Sequence, residues 1–322
     1  MTDRLRLGLV GTGWITDLHL PALDRLGRTE LVGVVSASAE RAAAIADRWG
    51  GTPHTVLQRM LDETRPDAVY VCQPPHRAAA VLDELIARDI PFLTEKPLAA
   101  SAADAERIGR ALASRDLVTA VGYQWRALDF LPLVRERLAA RPARLVVARW
   151  TGELPGPSWW RHVAESGGQV VEQATHLYDL GRSLVGEATV LAATSGRAPR
   201  ATYPDADVDD VAAALVRFEG GVLGSFVNAS ILASSQIELD ILSDGSRTTI
   251  RQLPGLRWTL TLDDGDEETV VPARRDPYEV QAEAFVDAVA THEPGGVLST
   301  YEDALRTDRL TRSVVAASGS RG

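Results

Sequence analysis

The sequence predicts an α/β protein with a doubly wound parallel sheet, followed by an α+β domain built on an open, mainly antiparallel sheet. Through residue 122, apolar runs such as 6–10 and 67–72 alternate with helical segments, which is typical of a parallel sheet covered on both faces. From residue 208 onward strands follow one another, and the turns at 219–221 and 243–246 indicate hairpins. We therefore predict one domain over 1–122 and a second over 123–322, whose terminal helix can pack back on the first.

The composition narrows the class of protein. The formal net charge of −10 argues against a nucleic acid or an anionic membrane as partner. No apolar run reaches the roughly 18 residues of a membrane span, and the N-terminus lacks the pattern of a signal peptide. Cys72 is the only cysteine, so no intramolecular disulfide can form. We expect a soluble cytoplasmic protein.

A glycine-rich turn follows the first predicted strand and opens a helix. Gly11 permits the tight turn, and Gly13 allows backbone to approach a pyrophosphate at the helix N-terminus. The third position of the motif is usually Gly or Ala, and here it is Thr16. The strand–loop–helix context predicts a Rossmann domain that binds NAD(P). The residues of this turn with predicted cofactor contacts are Gly11, Thr12, Gly13, Trp14 and Ile15. Core packing is the alternative for Trp14.

The second predicted strand bears on the choice of cofactor. A carboxylate about 20 residues after the loop would bind the adenosine ribose and repel a 2′-phosphate. Here the strand ends in Ser36 and Ser38, and Arg41 follows in the next helix. Hydroxyls and a guanidinium can bind the 2′-phosphate, so we predict NADP(H) as the preferred cofactor. NAD(H), with Ser36 on a ribose, is the alternative.

Lys96 is the only lysine of the chain, and it lies just past a predicted parallel strand, where ligands bind in such sheets. Interconverting an alcohol and a ketone moves a hydride and a proton, and a side chain must handle the proton. A lysine can do so when its surroundings favour proton release, whereas arginine stays protonated. Glu95 is expected to orient Lys96 or to face the cofactor. Pro97 keeps Lys96 out of the helical region.

Four stretches in this order carry a family resemblance: the glycine turn, "CQPPH" (72–76), "TEKP" (94–97) and "GGQVVEQATHLYDL" (167–180). Together they resemble the glucose–fructose oxidoreductase / inositol dehydrogenase / rhizopine-catabolism (Gfo/Idh/MocA) family, over essentially the whole chain. The resemblance implies NAD(P)-dependent hydride exchange with sugars, cyclitols and related polyols. It also implies a homodimer or homotetramer, for which we expect the C-terminal sheet as interface, and a cis bond between Lys96 and Pro97.

The second predicted cluster is Glu172, His176 and Asp179, whose spacings of four and three place them on one face of a predicted helix over 167–186. His176 suits a proton relay. Many relatives carry an aspartate where Glu172 stands, so Glu172 either touches substrate or positions His176. Asp179, Gln173 and Thr175 are predicted substrate contacts. The remaining ligands of a metal site are missing, so we predict no metal.

Three further stretches are predicted to line the site. Family analogy places Tyr123, Gln124 and Arg126 near nicotinamide or substrate. In the 157–162 stretch, an indole can pack on a sugar ring and an arginine can bind hydroxyls, with core packing as the alternative for the indoles. The predicted substrate contacts there are Trp159, Trp160 and Arg161. Gln73, Pro74 and His76 are expected to run along the cofactor, with His76 as a local contact.

Three functions remain open at this stage. The leading interpretation is a dehydrogenase or reductase acting on a CH–OH group, with Lys96 as proton donor and acceptor, His176 assisting and Glu172 orienting. A non-enzymatic NAD(P)-dependent sensor or co-repressor on the same fold is the second. The third is a glycosidase or lyase that oxidises a sugar transiently and retains its NAD.

Overall fold

The computed structural model describes residues 4–199 and 202–319. The described residues form two compact units. The N-terminal unit ends at Ala127 and takes in Asp276–Leu305 as well; the C-terminal unit comprises the described residues of Leu128–Arg275 and those from Arg306 onward. The predicted division at residues 122 and 123 stays a prediction.

Helices and strands are numbered in chain order. The strands are β1 Leu5–Val10, β2 Thr29–Val35, β3 Thr52–His54, β4 Ala68–Val71, β5 Phe92–Thr94, β6 Thr119–Val121, β7 Ala143–Thr151, β8 Ala188–Gly196, β9 Val211–Phe218, β10 Leu223–Ala229, β11 Gln236–Ser243, β12 Ser246–Leu253, β13 Arg257–Asp263 and β14 Glu268–Pro272. The helices are α1 Thr16–Leu26, α2 Ala39–Trp49, α3 Leu57–Thr64, α4 Pro75–Ala87, α5 Ala102–Leu112, α6 Leu131–Ala140, α7 Val163–Ser166, α8 Gln169–Glu172, α9 Thr175–Val185, α10 Pro277–Thr291 and α11 Tyr301–Ala317.

The N-terminal unit is built on a parallel sheet, which within the described residues has six strands in the order β3-β2-β1-β4-β5-β6. This is the doubly wound order, whose ligand site lies beyond the carboxyl ends of the strands. Its central strands are buried throughout or nearly so, as their continuous apolar runs predict. The predicted Rossmann fold is confirmed, and the ends of β1, β4 and β5 form its functional edge.

The C-terminal unit is built on an open sheet, with the order β14-β13-β12-β11-β7-β10-β9-β8 among the described residues. Only the β7–β10 pairing is parallel there; the other recorded pairings are antiparallel, and the predicted hairpins join β9 to β10 and β11 to β12. The predicted open, mainly antiparallel sheet is therefore confirmed.

One face of this sheet is packed and the other is open. Burial alternates along β9, as expected for a strand with one covered face. Tyr178 of α9 stacks on Phe226 with ring centroids 4.1 Å apart, and Gly181 lets the helix approach Phe218. Helix α9 thereby covers the packed face. None of the helices in the described part of the chain combines the length and apolar character needed to cross a membrane.

Candidate active site

The glycine turn packs tightly against Cys72, the residue that follows β4. Gly11 has a φ of +106°, and a Cβ on it would lie 2.1 Å from the carbonyl oxygen of Cys72. Only glycine fits this position, because both the backbone angle and the space exclude a side chain. A Cβ on Gly13, by contrast, would meet no atom within 4 Å. The turn therefore has one glycine that the fold requires and one that leaves open space.

The start of α1 fits a phosphate. Within the described residues, the backbone amides of Gly13, Trp14 and Ile15 donate to no protein acceptor. Thr16, which departs from the usual Gly or Ala, is buried and donates its hydroxyl to the Gly13 carbonyl at 2.7 Å. Its side chain thus braces the turn. Free amides beside an open glycine at a helix N-terminus suit a pyrophosphate.

Trp14 is 61% exposed. This exposure argues against core packing, one of the two interpretations of its sequence position. The indole at the mouth of the glycine turn is available to a bound dinucleotide.

Hydrogen bonds order the chain at the end of β2. The hydroxyls of Thr12 and Ser36 lie 2.9 Å apart, and the Ser38 amide donates to the Ser36 hydroxyl at 3.3 Å. The Ser38 hydroxyl accepts from the Arg41 amide and caps α2. Both serines therefore help to shape the loop. The exposed Arg41 lies in the first turn of α2 and is the cation of this segment.

The segment after β4 contains Gln73 and Pro74, both half-buried, and then the exposed His76 in the first turn of α4. The Arg77 side chain donates to His76 Nε2 at 3.2 Å, so His76 makes a local contact. Cys72, which precedes these residues, is buried. Burial and the neighbouring Glu95 carboxylate raise the pKa of its thiol well above its usual value, which keeps the thiol protonated.

Lys96 is the second residue after β5, at the carboxyl edge of the parallel sheet, and its side chain is half-buried. The Lys96–Pro97 bond is cis, as the family resemblance predicted. The strand end thus places the single lysine of the chain at the edge where a doubly wound sheet binds ligands.

Glu95 does not face solvent or open space. Its carboxylate accepts a hydrogen bond from His19 Nε2 of α1 at 2.8 Å, and the two side chains are 10% and 2% exposed. This geometry favours an internal hydrogen-bonding role over the predicted contact of Glu95 with the cofactor. His19 was missed in the sequence; the available signal was a histidine on the apolar face of the helix that the glycine turn opens.

The three residues predicted from 123–126 make internal contacts in the N-terminal unit. Tyr123 is 1% exposed within an apolar core cluster, and Gln124 donates to the Tyr278 hydroxyl at 3.1 Å. Arg126 pairs with Asp303 at 2.5 Å. These positions favour structural roles for Tyr123 and Arg126 over the predicted substrate contacts, because the Tyr123 side chain is buried and the Arg126 side chain is paired with Asp303.

In the C-terminal unit, the predicted single helix over 167–186 is wrong: it is divided into α8 and α9, with Glu172 at the end of the first. Because the helix breaks at 173–174, the spacing of four no longer places Glu172 and His176 on one continuous face. Glu172 instead accepts a hydrogen bond from the indole nitrogen of Trp160, which is itself 2% exposed. Trp160 is therefore a buried partner of Glu172, as the core-packing alternative allowed, rather than a platform for a sugar ring.

The other predicted residues of this unit differ in their surroundings. His176 is buried in the first turn of α9 and stacks on Trp150 with ring centroids 5.8 Å apart. Thr175 is also buried, whereas Gln173 and Trp159 are half-buried.

The Arg161 guanidinium lies over the Tyr203 ring, 3.7 Å from its centroid, and donates to the Gly156 carbonyl. Trp150, at the end of β7, was not singled out in the sequence.

Asp179 lies in a buried polar network of the C-terminal unit. Its carboxylate accepts from the Thr307 hydroxyl at 2.8 Å, and Arg182 contacts Thr307 at 2.7 Å and Glu187 through two bonds. The residue is fully buried. That placement favours a structural role for Asp179 over the predicted contact with substrate.

The fold and the site define a class of protein. A doubly wound sheet, a glycine turn with free amides and a lysine at the carboxyl edge define a dinucleotide-dependent oxidoreductase. No metal-binding group of three or more His, Cys, Asp or Glu side chains occurs among residues 4–199 and 202–319.

The chain belongs to the GFO/IDH/MocA oxidoreductase family. The family model described as oxidoreductase family, NAD-binding Rossmann fold matches residues 5–123, and the GFO/IDH/MocA C-terminal domain model matches residues 142–251. The N-terminal unit is therefore an NAD-binding domain, and the protein is an enzyme of the dehydrogenase and reductase class.

The similarity to the following proteins extends over nearly the whole chain. The myo-inositol 2-dehydrogenase of Thermotoga maritima is 22% identical, over 91% of this chain and 90% of that protein. The 1,5-anhydro-D-fructose reductase of Ensifer adhaerens is 27% identical, over 98% and 96%. The structure of KijD10, a 3-ketoreductase from Actinomadura kijaniata in complex with NADP and TDP-benzene, shows the same fold, with a TM-score of 0.86, 22% identity and 98% coverage of both chains.

Alanine substitutions at the two glycines of the turn are expected to have different effects on stability and on dinucleotide binding. Gly11→Ala should lower the free energy of unfolding by about 1–3 kcal/mol or more, because it combines a strained φ with a clash. Gly13→Ala should change stability by less than about 0.5 kcal/mol, since its Cβ meets nothing. Gly13→Ala should nevertheless weaken dinucleotide binding, because the methyl group occupies the space that the pyrophosphate needs.

Chemical denaturation and calorimetric titration of NADPH measure both effects. Unchanged NADPH affinity in a well-folded Gly13→Ala variant would show that the dinucleotide does not approach this turn.

Proposed function

We propose that this enzyme transfers a hydride between NADP(H) and a secondary alcohol or ketone of a sugar, a sugar derivative or a cyclitol. A bound nicotinamide supplies the hydride chemistry. The residue proposed to handle the proton is Lys96. The observation that carries the proposal is the position of the single lysine two residues past the end of β5, at the carboxyl edge of the NAD-binding domain.

Lys96 can exchange a proton with a hydroxyl, whereas each of the chain's arginines stays charged. His176 and Glu172 are the proposed contributions of the C-terminal unit to the same reaction. The stacking of His176 on Trp150 and the hydrogen bond from Trp160 to Glu172 hold both side chains in defined positions. Such restraint suits groups that must present a fixed geometry.

The substrate class is supported by the relatives, which are named for myo-inositol and for 1,5-anhydro-D-fructose. Both compounds are neutral rings with several hydroxyl groups. Half-buried Gln173 and Trp159 offer the amide and indole groups that bind such rings, and the buried Thr175 is the third proposed contact. We propose a polyhydroxylated ring as substrate on this basis.

NADP(H) is the proposed preferred cofactor, with NAD(H) as the alternative. Ser36 and Ser38 follow the end of β2, where a carboxylate would repel a 2′-phosphate. Since both hydroxyls already bond within the loop, the exposed Arg41 is the proposed source of the additional affinity for the phosphate.

The proposed assembly is a homodimer or homotetramer through the open face of the C-terminal sheet. Apolar side chains are exposed on adjacent strands of that face: Val211, Leu215, Leu223 and Val227. A patch of this kind on a sheet face suits pairing with a second copy. Because Cys72 is the only cysteine, the chain has no disulfide of its own, which supports the cytoplasm as the proposed compartment.

Lys96→Arg tests the proton-transfer role. The variant keeps the charge but removes the group that can release a proton, so kcat should fall about 100-fold or more. The dissociation constant for NADPH should stay close to that of the unmodified enzyme. Sugars, keto-sugars and inositols are first screened with NADPH and NADH, and the best substrate is then used for both enzymes. A variant that retains full turnover contradicts the role.

Arg41→Ala tests the cofactor preference. Losing a charge-assisted bond should raise the NADPH dissociation constant about 10- to 100-fold and leave that for NADH almost unchanged. Arg48→Ala, also exposed on α2 but in its last turn, is the matched control and should alter neither constant. Equal weakening of both cofactors by Arg41→Ala would refute a contact with the 2′-phosphate.

A further inference from the structure

The contact between His19 and Glu95 joins two parts of the N-terminal unit that the proposed reaction uses. His19 lies in α1, the helix that the glycine turn opens, and Glu95 is the residue immediately before Lys96. Their side chains meet at 2.8 Å although 76 residues separate them in the chain. A buried carboxylate requires such a partner, because its charge has lost its contact with water.

The His19 ring is held in one orientation by its neighbours. Tyr70 and Tyr278 contact it edge-on, with centroid distances of 5.4 and 5.3 Å. Gln124 donates to the Tyr278 hydroxyl and fixes that ring in turn. Burial raises the pKa of both tyrosine hydroxyls, so both rings stay neutral around the pair.

Glu95 is held at both its main chain and its side chain. Its amide donates to the Val71 carbonyl of β4 at 3.0 Å. On the other side, a Cβ on Gly122 would lie 2.6 Å from Glu95 Oε1, so the carboxylate packs directly against the backbone after β6. The carboxylate thus lies between Gly122 and His19.

We infer that His19 is a positioning residue for the proton transfer, acting on Lys96 through Glu95. The bond ties α1 to the segment after β5, so that the helix beginning at the dinucleotide turn and the residue beside Lys96 keep a fixed separation. The inference rests on the proposed role of Lys96. His19 has no part in the chemistry itself; it sets where the backbone of residues 95 and 96 lies.

His19→Leu removes the bond to Glu95 and should lower kcat about 10- to 100-fold, since a displacement of about 1 Å at a reacting group has an effect of that size. KM and the NADPH dissociation constant should stay within about threefold, because His19 is 1% exposed and offers no surface to either ligand. His19→Gln, whose amide can donate to the same carboxylate, should recover most of the loss. His54→Leu, which removes a half-buried histidine of the same unit, is the control and should leave kcat unchanged.

Gly122→Ala displaces the same carboxylate from the other side. It should lower kcat as His19→Leu does, and the double variant should lose less than the product of the two single losses, because both changes act on one carboxylate. Thermal unfolding of all variants, with and without NADPH, checks that each is folded.

Three results would overturn the inference: full kcat in folded His19→Leu, failure of His19→Gln to restore any activity, or a loss explained by weaker NADPH binding alone. The Lys96→Arg variant distinguishes a failure of this inference from a failure of the proposed function. If Lys96→Arg is inactive while His19→Leu is fully active, the positioning role fails and the role of Lys96 stands. If Lys96→Arg is fully active, the proposed function fails first.

Discussion

The burial of the Glu95 carboxylate is the constraint on which the functional edge of the parallel sheet depends. A buried carboxyl group needs a hydrogen-bond partner in place of water, and His19 is the partner that the fold supplies. Meeting that requirement brings α1 against the end of β5 and requires a glycine at 122. We infer that the same contact also positions the backbone from which Lys96 projects. In that proposal, a single contact meets a stability requirement and a catalytic one.

The sequence predicted the parts of this arrangement that depend on local pattern. Continuous apolar runs indicated parallel strands, and the glycine turn with its flanking strand and helix indicated the dinucleotide site. Lys96 stood out by composition alone. The His19–Glu95 pair could not be predicted in this way, because hydrogen bonds between residues 76 apart depend on how helices and strands pack rather than on any spacing. Family analogy likewise could not show that Tyr123 and Arg126 are used inside the unit.

The C-terminal unit shows a different limit of sequence reasoning. The spacing of Glu172 and His176 assumed one helix, but the segment is divided into α8 and α9 between them, and the two side chains contact different aromatic residues. Trp160 and Trp150 hold these groups through an indole hydrogen bond and a stacked ring. Both units therefore hold titratable side chains against aromatic residues, although the contacts themselves differ.

The single lysine offers a direct measurement of the central claim, the proton transfer by Lys96. In enzyme labelled with ¹³C at the lysine ε-carbon, one side-chain signal reports the protonation of Lys96 without any assignment step. With NADPH bound, this signal should change with pH along the same curve as kcat/KM, because the rate depends on the protonation state of that amine. A lysine signal that titrates over a different pH range from kcat/KM would contradict the account.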